Sequence, residues 1–334
     1  GIQMAGKFIT DIDSFNSICA ENGVKLPVGE NADVLKQSVA VDGKKIPNRI
    51  VYQAMEGCDG NPDGSVGELT VRRYMRFAKG GAGLIWFEAT AVKKEGKANP
   101  RQMFISEENV QSYAEFVKQI KQTCLEENGY EPIIVMQLTH SGRYSKPNGY
   151  PEPIIAYNNP VYEEEPIDAS RIITDDELDS LQDCYVKSAL LAKQAGFDGV
   201  DIKSCHRYLL SELLSAYTRE GKYGGSYENR TRMLRETVAK VKKAVGDGFI
   251  VTVRMNAYDG VEYPYGFGTV QNGGLTPCFD EAKRLVNDLY GLGVRLVDIT
   301  MGNPYVNPHV NRPAVSGVPY AVDEAPIVGV ERML

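Results

Sequence analysis

Apolar residues along this chain alternate between two patterns. Short, almost unbroken runs recur: GLIWFEATAV at 83–92, PIIVMQL at 132–138 and GFIVTVRM at 248–255. Runs of this length with few polar interruptions predict strands buried on both faces, as in a parallel sheet. The predicted strands are Ile50–Ala54, Gly83–Ala91, Pro132–Leu138, Gly199–Lys203, Phe249–Met255 and Val294–Met301. Between them the apolar positions switch to helical spacing over Thr70–Lys79, Glu107–Asn128, Thr174–Ala195, Glu228–Val245 and Cys278–Leu292. Thr174 with Glu177 three residues on predicts a capping box, and Gly196 predicts that helix's end.

Strict β/α alternation predicts a doubly wound sheet or a (β/α)8 TIM barrel. The turn after the first strand lacks the G-x-G-x-x-G of a dinucleotide fold, which favours the barrel. Only six strands are visible, so the last two β/α units of an eight-fold barrel have no counterpart. After Met301 a proline-rich loop leads to Pro326–Leu334, which reads as the start of a helix. The expected organisation is an N-terminal extension at 1–44 and a barrel at 45–334 carrying strands one to six. The insert at 141–171, rich in Pro, Tyr and Asn, is too long for an ordinary connection and predicts a functional loop or cap.

Composition narrows the function classes. With 334 residues, 43% hydrophobic, the chain can bury a large core. A formal charge of −7 offers no basic footprint for nucleic acid or anionic lipid. No apolar run approaches the roughly 20 residues of a membrane span, and the first residues lack a signal-peptide pattern. The six cysteines form no C-x-x-C pair, so a metal or iron–sulfur centre finds no support. Scattered thiols predict a reducing, cytoplasmic setting. The three histidines are His140, His206 and His309. The expected partner is a small molecule, with homo-oligomerisation left open.

Barrel enzymes place their chemistry at the C-terminal ends of the strands. There the sequence has Gln53-Ala54-Met55-Glu56, then Glu88-Ala89-Thr90, then Gln137 and Thr139–Arg143. Lys203–Tyr208 and Arg254 follow. Gln, Lys, His, Tyr and Arg converging on one mouth suit an electron-rich planar ligand, whose carbonyls and developing negative charge they can stabilise.

Several of these strings carry a resemblance. Gln137-Leu138-Thr139-His140-Ser141-Gly142-Arg143 is similar to a Q-L-x-H-x-G-R motif. Tyr223–Arg232, YGGSYENRTR, is close to Y-G-G-S-x-E-N-R-x-R, and His206–Leu209 fits H-x-Y-L upstream of it. In this order, with the first-strand stretch Asn48–Val51 and the second-strand stretch Gly80–Thr90, they resemble the Old Yellow Enzyme family of FMN-dependent ene-reductases. The resemblance implies FMN as cofactor, NAD(P)H as reductant and an activated, α,β-unsaturated alkene as hydride acceptor. It implies backbone contacts to the flavin from Ala54, Met55 and Ala89, and hydrogen bonds from Gln137 to its pyrimidine edge. Arg254 would lie at the edge where reduction builds negative charge. Lys203 and His206 would bind the acceptor oxygen, and Tyr208 would protonate carbon.

Three departures stand out. Lys203 occupies a position where the family has His. Glu56 stands where some members have a Cys or Thr that tunes the flavin. The strands that normally complete the phosphate site have no counterpart, so retention of FMN by this chain alone is not expected. Two alternatives follow: a non-catalytic or truncated flavin-barrel fragment, or a lyase that uses Lys203 as a Schiff-base nucleophile.

Overall fold

The structure is a computed structural model that describes residues 9–306 and residue 310. The stretch 326–334 lies outside the described residues. Contacts divide the chain between Gln37 and Ser38 into two units. In the first, helix α1 (Ile12–Glu21) starts at Asp11, whose side chain accepts from the Ser14 amide while the Ser14 hydroxyl serves the Asp11 amide. This is a reciprocal cap.

The second unit opens with an antiparallel hairpin, β1 (Val39–Val41) and β2 (Lys44–Ile46). Six parallel strands follow: β3 (Val51–Tyr52), β4 (Leu84–Ala91), β5 (Ile133–Thr139), β6 (Gly199–Ser204), β7 (Ile250–Tyr258) and β8 (Val297–Met301). Each pairs with its sequence neighbours in the order β3-β4-β5-β6-β7-β8. All-parallel neighbours in chain order are how a β/α barrel winds. The intervening helices are α2 (Glu68–Gly80), α3 (Val110–Asn128), α4 (Asp175–Gln194), α5 (Leu209–Leu214), α6 (Tyr227–Arg230), α7 (Arg232–Val245) and α8 (Asp280–Gly291).

The helix predicted at 174–195 forms as α4, with Thr174 and Glu177 in the capping box. The helix predicted at 228–245 is broken at Thr231 into α6 and α7. Ser226 caps the short first piece, and the Thr231 hydroxyl bonds back to the Tyr227 carbonyl. The hairpin and α5 carry too few residues for a periodic signal and are not foreseen.

Strand side chains sort by face. Ile134, Met136, Leu138, Val200, Ile202, Val251 and Val253 pack outward into the cluster shared with the helices. Leu84, Trp86, Ile133, Val135 and Ile250 point inward and meet Val41 and Ile46 of the hairpin. The hairpin therefore plugs the end where the strands begin. Further along, the inward positions turn polar, which sets the site at the strand ends. No helix among the described residues is long and apolar enough to cross a membrane.

Candidate functional site

Strand register builds the polar layer. Gln137 pairs with Asp201, Lys203 with Arg254, and Arg254 with Asp298. Because side chains alternate along a strand, all five lie on the inward face. The fully buried Asp201 ties three strands together. Its carboxylate accepts from Trp86 Nε1 at 3.0 Å, from Gln137 Nε2 at 2.7 Å and from the Arg254 amide at 2.6 Å. Burial outweighs these donors and pushes the Asp201 carboxyl up to about 6.

That shift has a signed consequence. A carboxyl that holds its proton more tightly in the fold than in the unfolded chain weakens the fold as pH rises. The loss begins near pH 4 and is complete above about 6, and two pKa units correspond to about 3 kcal/mol. Asp201→Asn is therefore expected to flatten the stability profile across pH 4–6 relative to wild type. Urea unfolding midpoints of both proteins over that range check it; parallel profiles would place the titration elsewhere.

At the strand ends, Glu56, Lys203 and Tyr208 come together. Lys203 Nζ is buried, 3.6 Å from Glu56 Oε1 and 3.9 Å from the centre of the Tyr208 ring. The Tyr208 hydroxyl lies 3.4 Å from the same Glu56 oxygen and 3.4 Å from the Tyr305 hydroxyl. Tyr305 stacks on Tyr144, with ring centres 3.8 Å apart. Burial, then the negative charge of Glu56, holds the Tyr208 phenol well above its usual range. Tyr208 is thus a protonated donor throughout the physiological range.

His206 sits on the turn between β6 and α5. His206 and Arg207 both have left-handed backbones, at φ 61° and 59°. Two consecutive non-glycine residues there cost of order 1–3 kcal/mol each and persist only where their surroundings fix them. The His206 amide donates to Asn256 Oδ1 at 3.2 Å.

The segment carrying Ala54, Met55 and Glu56 is held from below. Glu88, buried on β4, accepts from the Gly57 amide at 2.8 Å and from Arg73 at 2.6 Å. Arg73 also pairs with Asp59 at 3.0 Å. The register of β4 against β5 shifts between Phe87 and Thr90. Irregularities of this kind re-aim side chains at a sheet's rim. Ala54 and Ala89 are buried and small, whereas Met55 is exposed.

His140 stays out of this group. It is fully buried, accepts from the Gly142 amide through Nδ1 at 3.0 Å, and burial drives it down to about 3. A Cβ added at Gly96 would sit 2.6 Å from its ring. His140 is thus a neutral, close-packed residue. Gly142, at φ 56°, makes room for the Leu209 backbone, which a Cβ there would meet at 2.8 Å.

The segment 141–171 is tied down. Arg143 chelates Glu212, with Nε to Oε2 at 2.8 Å and Nη2 to Oε1 at 3.2 Å, and it also pairs with Glu163. The Tyr157 hydroxyl bonds Ser215 at 2.7 Å.

The resemblance implies a flavin, and its ring presents carbonyl and nitrogen acceptors along one edge. The donors here fit that edge. Arg254 Nε and Asp298 Oδ2 are both buried, 3.2 Å apart and misaligned for a hydrogen bond. Arg254 Nη1 reaches the Ala54 carbonyl only at a long 3.5 Å. Gln137 keeps one amide hydrogen beyond the one given to Asp201. Among the described residues no cluster of three or more His, Cys, Asp or Glu side chains is arranged to hold a metal.

Sequence reading gave no part to Asp201, Arg207, Asn256 or Tyr305. Only Arg207 lies inside a quoted string. The others are single polar residues whose importance comes from contacts across many positions of chain.

Comparison with known proteins agrees with the fold and the family resemblance. Residues 37–286 match the model of the NADH:flavin oxidoreductase / NADH oxidase family. The NADPH dehydrogenase of Halalkalibacterium halodurans is 33% identical over 68% of this chain and 64% of its own length. The NADH oxidase of Thermoanaerobacter brockii is 30% identical over 77% of this chain and 37% of its own. The chain thus spans less than two thirds of the length of these curated relatives. An Old Yellow Enzyme structure from Pichia sp. superposes with a TM-score of 0.65 at 25% identity, covering 80% of this chain and 70% of that one. The barrel expected from strand alternation is borne out by this likeness and by the parallel, in-order sheet.

Proposed function

The chain belongs to the NADH:flavin oxidoreductase / NADH oxidase family, and from that premise we propose that it is an FMN-dependent reductase of activated alkenes, with NAD(P)H as reductant. The observation that carries this reading is the meeting of Lys203, Glu56 and Tyr208 at the strand ends, where Lys203 is in register with Arg254. FMN held there would supply the two-electron redox chemistry that links the nicotinamide to the alkene.

The protein's part is to bind, orient and protonate. Gln137 and Arg254 would hold the polar edge of the ring, and the cation of Arg254 would offset negative charge that builds there. The small Ala54 and Ala89 let the backbone approach the ring, alongside Met55. Lys203 and His206 donate to the acceptor oxygen, drawing electron density from the double bond. Tyr208 gives its proton to carbon. The Glu56 carboxylate 3.6 Å from Lys203 pairs the amine as a cation. That supports a donor role over the neutral amine that a Schiff-base lyase requires.

Flavin titration tests the reading. FMN titrated to large excess is expected to bind weakly and lose its fluorescence, although the chain is not expected to retain it through purification. Arg254→Gln is expected to raise the dissociation constant about 10-fold or more, the loss of one charged hydrogen bond. Equal affinity in the variant would remove Arg254 from the site, and no binding by either protein would overturn the flavin reading.

A further inference from the structure

We propose that Arg207 is a positioning residue: through one buried network it holds the His206 turn and fastens segment 141–171 beside it. The inference rests on the proposed role of His206 in acceptor binding. Arg207 is fully buried, and so is its partner Asp259, with Nη1 to Oδ2 at 2.9 Å. From this pair the bonds run in three directions.

Toward the turn, Asp259 Oδ1 accepts from Asn256 Nδ2 at 2.9 Å, and Asn256 Oδ1 receives the His206 amide at 3.2 Å. Toward the insert, Arg207 Nη2 reaches the Tyr157 hydroxyl at 3.2 Å. Its guanidinium also lies 5.0 Å from the centre of the Tyr162 ring, while Arg143 lies 5.2 Å from that centre. Toward β8, Asn256 donates to the Gly302 carbonyl at 2.8 Å, and the next residue, Asn303, donates to the Tyr162 hydroxyl at 2.6 Å. One charge pair thus reaches the acceptor turn, the insert and the stretch leading to Tyr305.

The strain makes the purpose specific. Arg207 holds a left-handed backbone that glycine would adopt without penalty. An arginine there costs strain and desolvation, and stability alone would not need it. What the side chain adds is the fixed distance from His206 to the insert. The guanidinium serves Ser215 and Asp259 from Nη1 and Tyr157 from Nη2, a spread that the single nitrogen of an ammonium does not reproduce.

The test uses two variants. Arg207→Gly with Asp259→Asn removes both charges and relieves the backbone, and Arg207→Lys keeps a cation. Hydrogen exchange on the purified chain is read at His206 and at 155–163. Exchange at both places is expected to speed up roughly 10- to 100-fold in the double variant, the range for losing a charged hydrogen bond at each. Arg207→Lys is expected to fall between that and wild type. In turnover the double variant is expected to raise KM for an enone about 10-fold or more with kcat changed far less.

Unchanged exchange at His206 and 155–163 in a folded variant would overturn the proposal, as would an unchanged KM. If the double variant fails to fold, the same readings on Arg207→Lys decide. The exchange arm does not depend on turnover, so loss of the proposed reaction would not be mistaken for failure of the network.

Discussion

Tyr208→Phe is expected to slow reoxidation of the reduced flavoprotein by an enone roughly 100- to 10,000-fold, the usual worth of a positioned proton donor. Reduction by the nicotinamide is expected to stay within about 2-fold, since no carbon is protonated in that half. The hydroxyl is buried beside Glu56 and its proton is held well above the usual phenol range. Loss of that proton should therefore not limit the rate in the physiological range. The ammonium of Lys203, 3.9 Å from the centre of the ring, favours the phenolate as the proton leaves. Stopped-flow traces of the separate halves give the answer. Equal slowing of both halves would reduce Tyr208 to a packing residue, and no change in either would place it outside the site.

Arg143→Ala is expected to cost about 3–5 kcal/mol of stability, because it strands a buried carboxylate. Glu212 is fully buried and receives two bonds from Arg143 and one from the Ala156 amide, at 2.8 Å. Arg143 also donates to the Tyr157 carbonyl at 3.1 Å, so the variant loses a bond within the insert as well. Arg143→Ala combined with Glu212→Gln removes both charges and is expected to recover most of the loss. Denaturant titrations of the single and double variants measure the coupling. Simple additivity of the two single losses would show that the pair does not act as a unit.

Glu56 shows how far the strings could be read. Its position in Gln53-Ala54-Met55-Glu56 marks it as a departure from the family, but nothing there says what it faces. In the fold its carboxylate takes both the Lys203 ammonium and the Tyr208 hydroxyl as neighbours, across 147 and 152 positions of chain respectively. Gln137 is a similar case. The strand end is legible in PIIVMQL, yet the partner that fixes its amide, Asp201, comes from the next strand and is set by register.

Legible along the chain alone are the alternation of strand and helix, the strand ends as the place of chemistry, and the order of motifs that carries the family. Those features are local: apolar periodicity, capping residues and short strings survive without knowledge of distant contacts. Tertiary structure alone decided the broken helix at Thr231, the hairpin beneath the strands, the neutral burial of His140 and the network around Arg207. Each of these depends on which side chains meet after the sheet has curled. A hydrogen bond or a desolvated charge is a property of a pair and its surroundings, and no spacing along one chain encodes it.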